Sequence, residues 1–215
     1  DQDLSGQEFI DCSEGINPFG VAFDVKKDAT LNLYDMSYYP HNKELFPAIT
    51  NYWKPVSPGI KPENILLIEG SLGGLSLLAT AMAGQGSRVL GIIPQFPDFV
   101  SLARLNGISY EGYELDPQRA YQFYLDEFLP LIHEDYTFIY IDNPNNPPGQ
   151  LISLSDINQI LKRAASLGIY VVVDEAYGDF VSKEESAISL LHDYDNLIIL
   201  RTMSKGFGLA GLRAG

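Results

Sequence analysis

The chain has 215 residues, 46% hydrophobic and 20% charged, which suits one sizeable core with room for part of a second lobe and excludes a disordered chain. A net charge of −14 without any Lys/Arg cluster speaks against nucleic-acid and anionic-membrane partners, and no apolar run approaches the ~20 residues of a membrane span. Cys12 is the single cysteine, so an internal disulfide and a cysteine-rich metal site are excluded, while His41, His133 and His192 are scattered without metal-ligand spacing and read as surface or packing residues.

Residues 1–35 read as irregular, with INPFG at 16–20 a turn. Residues 41–53 read as a helix that ends before Pro55. From Asn64 the pattern becomes regular. ILLIE (65–69) reads as a buried strand, SLGGLSLLATAMAG (71–84) as a helix, RVLGII (88–93) as a strand and DFVSLARLNG (98–107) as a helix. ISYEGYEL (108–115) reads as a strand, 121–133 as a helix, YTFIYID (136–142) as a strand and SLSDINQILKRAASLG (153–168) as a helix capped by Ser153 with Asp156 three residues on. IYVVVDE (169–175) and NLIILRT (196–202) complete six strands. The strands are short and continuously apolar, and helices separate most of them. That predicts an α/β fold with a mostly parallel sheet covered on both faces. Ligands in such folds bind outside the carboxyl ends of the strands, so polar residues there are the candidates for function.

Five such segments stand out. Gly70–Gly74 offers free backbone N–H groups at a helix start beside the Ser71 hydroxyl, which suits a phosphate, although close packing of glycines explains the same residues. It is neither a GxGxxG fingerprint nor a Walker loop. Phe96 follows a strand and either presents a flat face to a ring or fills core. DNPNNPPG (142–149) is stiffened by three prolines, which fixes an amide side chain or simply makes a turn. Asp174 ends an apolar run, where burial raises its pKa unless a cation holds it ionised; helix capping is the alternative. Finally, RTMSKGFGLAGLRAG (201–215) sets Lys205 after Thr202 and Ser204 and before a glycine-rich stretch ending in Arg213. An amine among hydroxyls, flexible backbone and a fixed cation suits an imine-forming lysine beside a bound phosphate.

The segments DNPNNPPG, VVVDEAY and TMSKGFGLAGLRAG resemble those of pyridoxal-phosphate enzymes of the aspartate-aminotransferase fold. Within that fold they are most similar to the histidinol-phosphate aminotransferase group, which includes threonine-phosphate decarboxylases. The resemblance spans most of residues 10–215. It implies a three-layer α/β/α large domain over 56–215, preceded by an N-terminal arm and first helix over 1–55. It implies pyridoxal 5'-phosphate as cofactor, with Lys205 as the Schiff-base lysine that also shuttles the α-proton and Asp174 as the carboxylate paired with the pyridine nitrogen. Tyr177 and Asn146 match the donors to the ring hydroxyl, and Phe96 the aromatic stacked on the ring. Ser71, the Leu72 backbone, Thr202, Ser204 and Arg213 match the phosphate contacts, and Asn17 falls in the substrate site. Tyr39 resembles a tyrosine that reaches the phosphate of the neighbouring subunit, which implies a homodimer with shared active sites.

The implied reaction moves an amino group between an amino acid or amino-alcohol phosphate and a 2-oxo acid. Decarboxylation of threonine phosphate and a non-catalytic relative of the fold are the alternatives. Three positions depart from the family pattern: Pro148 replaces the usual threonine of the asparagine-proline loop, Leu72-Gly73 stands where relatives often carry acidic residues, and Phe19 where many have tyrosine. Family members continue into an antiparallel strand that inserts between the first and sixth strands, a small C-terminal domain and an arginine that binds substrate carboxylate. The chain is therefore expected to be a fragment of a longer protein or to be completed by a second chain. The N-terminus carries no signal-peptide pattern, so a cytoplasmic location is expected.

Overall fold

The computed structural model describes residues 15–22, 37, 39, 43–82, 84 and 86–215. Cys12 and His41 lie outside the described residues. Five parallel strands, β1 (Arg88–Ile93), β2 (Ser109–Glu114), β3 (Phe138–Asp142), β4 (Tyr170–Asp174) and β5 (Leu197–Leu200), form one sheet in the order β2-β1-β3-β4-β5. Among the described residues the α-helices are α1 (Leu45–Trp53), α2 (Gly70–Met82), α3 (Pro97–Leu105), α4 (Leu125–Phe128) and α5 (Leu154–Ala165).

Strand periodicity sorts the apolar residues onto two faces. Phe138 and Tyr140 of β3 point with Val89, Val172 and Leu200 toward Leu75 and Ala79 of α2 and Phe99 and Ala103 of α3. Ile139 and Ile141 point the other way, with Leu90, Ile92, Val171 and Val173, toward α5 and Phe128. All five residues of β3 are buried, as a central strand between two covered faces requires. Helix α5 forms because Ile157, Ile160, Leu161 and Ala164 recur on one face and all four are buried. Its start is capped as expected, the Ser153 hydroxyl accepting the Asp156 N–H at 3.1 Å. Each such isoleucine or leucine taken fully out of water stabilises by about 1.5–3 kcal/mol.

Two expected elements are corrected. Residues 65–69 are not a strand: Leu66 is 68% exposed, and only Ile68 pairs, exchanging hydrogen bonds of 2.9 and 3.0 Å with Gly215. An apolar run becomes a strand only where a ladder partner exists, and here the partner is a single residue. The helix expected over 121–133 shrinks to α4 and a 3-10 turn at Leu129–Leu131. Ala120 and Tyr121 sit at φ 53° and 58°, which forms a turn rather than a helix start, and Pro130 has no N–H to continue the helix. Helix α1 begins at Leu45, later than expected. Among the described residues no helix is long and apolar enough to cross a membrane.

The order β2-β1-β3 means that the chain leaves β1 toward one side and returns to its other side. The crevice beyond the strand ends there is a topological switch point.

Candidate active site

β3 and β4 each end in an aspartate, and Asp142 and Asp174 are direct partners in register. Asp174 is buried. Its Oδ1 accepts the Ala176 N–H at 3.0 Å and its Oδ2 the Tyr140 hydroxyl at 3.2 Å. Burial pushes its carboxyl up to about 7, with the Asp142 charge acting in the same direction. Asp142 is also raised by burial, but it is committed to the asparagine-proline loop. It accepts Asn145 Nδ2 at 2.6 Å and the Asn146 N–H at 2.9 Å. Asn143 ties the same loop to Ile152 in both directions, at 2.8 and 3.1 Å. The loop is a fixed platform that presents Asn146.

The next strand carries the amine. Leu200 of β5 is the register partner of Asp174, so the stretch from Arg201 starts beside that carboxylate. Lys205 Nζ lies 5.4 Å from the centre of the Tyr177 ring. Gly15 closes over this pair: a Cβ there would stand 2.5 Å from Tyr177 Oη and 3.3 Å from Lys205 Nζ. Asn17 holds that cover in place, donating from Nδ2 to the Gly206 carbonyl at 2.9 Å while its Oδ1 accepts the Phe19 N–H at 3.0 Å.

A third group of residues converges on the start of α2. The N–H groups of Ser71 and Leu72 belong to its first turn and have no helical acceptor. Gly70 has φ 69°, and a Cβ on it would meet Arg213 Nη2 at 2.9 Å and Thr202 Oγ1 at 3.6 Å. The guanidinium therefore lies against the bare Cα at the helix start. Ser204 Oγ lies 2.9 Å from Thr202 Oγ1 and 3.4 Å from Arg213 Nη1. A forked cation, two hydroxyls and free N–H groups make a cradle for a tetrahedral dianion. With an amine, a phenol and a carboxylate able to face a cation nearby, the donor set suits an anion carrying both a carbonyl and a basic ring nitrogen.

Of the residues expected from the sequence, Ser71, Leu72, Thr202, Ser204 and Arg213 come together at the cradle, and Lys205 meets Tyr177. Phe96 is half-buried at the N-cap of α3, its backbone N–H on the Asp142 carboxylate. Tyr39 is 91% exposed. Tyr140, Asp142 and Asn145 were not foreseen as partners of the site. Asp142 repeats the signal of Asp174, a carboxylate closing an apolar run. Tyr140 is the one hydroxyl in FIYID, and a buried hydroxyl needs a partner. His133 packs against Tyr136, ring centres 4.4 Å apart, before the start of β3 rather than beyond its end, and no cluster able to hold a metal ion occurs among the described residues.

Comparison with known proteins identifies the family and the fold. The family model described as aminotransferase class I and II matches residues 13–215. The histidinol-phosphate aminotransferase 2 of Pasteurella multocida is 33% identical over 217 residues, covering 100% of this chain and 58% of that protein. The histidinol-phosphate aminotransferase of Francisella philomiragia is 38% identical over 157 residues, 73% of this chain and 43% of that one. The chain thus spans about half the length of the curated relatives it matches. Among solved structures, the histidinol-phosphate aminotransferase of Clostridium acetobutylicum superposes with a TM-score of 0.79 at 25% identity, over 94% of this chain and 58% of that one. An aspartate aminotransferase variant from Thermus thermophilus superposes with a TM-score of 0.82 at 20% identity, over 94% and 54%, a likeness of fold.

Proposed function

Because the chain belongs to the class I and II aminotransferase family, we propose that it is the large, cofactor-binding part of an enzyme that moves an amino group between an amino-alcohol phosphate or amino acid and a 2-oxo acid. The cofactor is pyridoxal phosphate, which when bound supplies an electron-withdrawing ring that stabilises negative charge at the substrate α-carbon. The single observation that carries the reading is the convergence of Lys205, Asp174 and the Arg213 cradle on adjoining strand ends.

Lys205 would hold the cofactor through Nζ and is the group that would move a proton at the substrate α-carbon. Burial makes an unpaired charge on Asp174 costly, so a cationic ring nitrogen placed opposite it would keep the carboxylate ionised and would itself be stabilised. Tyr140 and the Ala176 N–H fix the direction of that carboxylate. Arg213, Ser204, Thr202 and the N–H groups of Ser71 and Leu72 bind the phosphate. Tyr177 and Asn146 would donate to the ring hydroxyl oxygen, and Phe96 would cover a ring face and exclude water. Asn17 braces the cover over Lys205 and lines the substrate side. Tyr39, exposed here, reaches the phosphate of a second copy in a homodimer with shared sites. Residues 1–55 serve as arm and first helix, and 56–215 as the cofactor-binding domain.

The printed names of the relatives support a histidinol-phosphate-like donor. The test supplies the full-length protein with pyridoxal phosphate, histidinol phosphate and a 2-oxo acid, and follows the amino acid formed. Transfer that disappears in Lys205→Ala supports the proposal. Release of carbon dioxide from threonine phosphate without amino transfer would instead make the enzyme a decarboxylase, and tight cofactor binding with no turnover would make it a non-catalytic relative.

A further inference from the structure

A second buried charge cluster packs against Gly206, the residue after Lys205, and nothing in the chemistry above uses it. Arg201, the first residue after β5, donates from Nη1 to Glu175 Oε2 at 3.1 Å and from Nη2 to Asp179 Oδ1. Its guanidinium also lies 4.8 Å from the ring of Trp53. The three charged side chains are only 19, 2 and 11% exposed, so solvent does little to screen or replace them. Lys183 faces the same group, donating to the Tyr52 carbonyl at 3.1 Å; burial raises the pKa of Asp179 and the charges of Arg201 and Lys183 oppose that rise, so two cations meet two carboxylates.

Each carboxylate adjoins a residue of the site. Glu175 follows Asp174 and is held by two further hydrogen bonds: its Oε1 accepts the Ala187 N–H at 2.7 Å and its Oε2 the Ser186 hydroxyl at 2.6 Å. Asp179 packs against Gly206, the residue after Lys205, so closely that a Cβ on Gly206 would overlap the Asp179 Cβ. Arg201 itself packs on Gly178, where a Cβ would overlap Nη1. The guanidinium thus joins the turn after Asp174 to the backbone that carries the amine. A planar fork with two fixed acceptors sets distance and angle together, which a point charge cannot do.

We propose that Arg201 is a positioning residue: by clamping Asp179 and Glu175 it fixes the backbone at Gly206 and thereby the reach of the Lys205 amine past Tyr177. It touches neither cofactor nor substrate. The inference rests on the proposed role of Lys205. A displacement of about 1 Å at a reacting atom slows reaction on the order of 10–100-fold. The cradle is built from other residues, so phosphate binding should not change.

The experiment uses the full-length protein and two readouts that need no turnover. One is the rate at which pyridoxal phosphate labels Lys205, trapped with borohydride and located by peptide mapping. The other is the affinity for inorganic phosphate. Arg201→Met is expected to label Lys205 on the order of 10–100-fold more slowly with phosphate affinity unchanged, and Arg201→Lys to recover only part of the rate. Gly206→Ala removes no charge and is expected to slow labelling in the same way; it decides the matter alone if Arg201→Met does not fold. Folded variants that label at the wild-type rate overturn the proposal while leaving the proposed function standing. Parallel loss of labelling and phosphate affinity also overturns it, because Arg201 then holds the fold rather than the amine. A wild-type protein that takes no label at Lys205 overturns both readings.

Discussion

Asp174 makes the folding stability of the cofactor-free protein depend on pH. Its carboxyl releases its proton at about 7 in the folded chain against 3.8 ordinarily, so as pH rises the unfolded chain loses its proton first. Its contribution is therefore full at acid pH, is lost progressively between about pH 4 and about pH 7, and amounts to about 4 kcal/mol. Asp174→Asn should make the cofactor-free protein more stable than wild type at about pH 8 and remove this part of the slope, as urea midpoints across the range will show. Asp142 and Glu175, also raised by burial, keep a residual slope of the same sign. The same variant should lose stability relative to wild type once cofactor is bound, because the amide cannot balance a ring cation. At the other end of the site, Arg213→Ala removes a charge-assisted contact of about 1.5–3 kcal/mol. Cofactor affinity should fall on the order of 10–100-fold, measurable by fluorescence titration.

Among the elements, α5 and the strand faces set the energetics. Ser153→Ala deletes the cap of α5 and should cost about 1 kcal/mol in urea unfolding without touching the site. Phe99→Ala should cost about 3–5 kcal/mol. It also reaches the site, because Phe99 packs on Tyr140 at 4.3 Å and Tyr140 orients Asp174. The elements that could be read from the sequence are those whose signal is local. β1 is the run RVLGII, α5 has its cap and four apolar positions, and Asp174 announces itself as a charge at the end of VVV. The run ILLIE carries the same local signal as β1, yet becomes no strand because pairing is decided by a neighbour elsewhere in the chain. Residues 121–133 misread because helical composition hides a left-handed turn and Pro130. The cradle was legible as motifs, but the Arg201 cluster was not: its members are spread from Trp53 to Arg201, and only the fold brings them into contact.

Across the whole molecule the parallel sheet has two unlike edges. β2 carries Glu111, bound to Arg88, and Glu114 on its side of the sheet, and charge discourages further pairing. β5 is LIIL, and among the described residues no strand pairs its outer edge. A polypeptide confined to these 215 residues should therefore associate edge to edge as its concentration rises, which sedimentation will detect; a strictly monomeric species would show that edge to be covered. The paired hydrogen bonds between Ile68 and Gly215 have a different consequence. They bring Arg213 over Gly70 from stretches that are remote along the polypeptide, so the anion cradle does not exist until both have docked. A dianion seated there is a clasp fastened after the garment is on: it should slow opening in proportion to occupancy and leave the rate of assembly as it was.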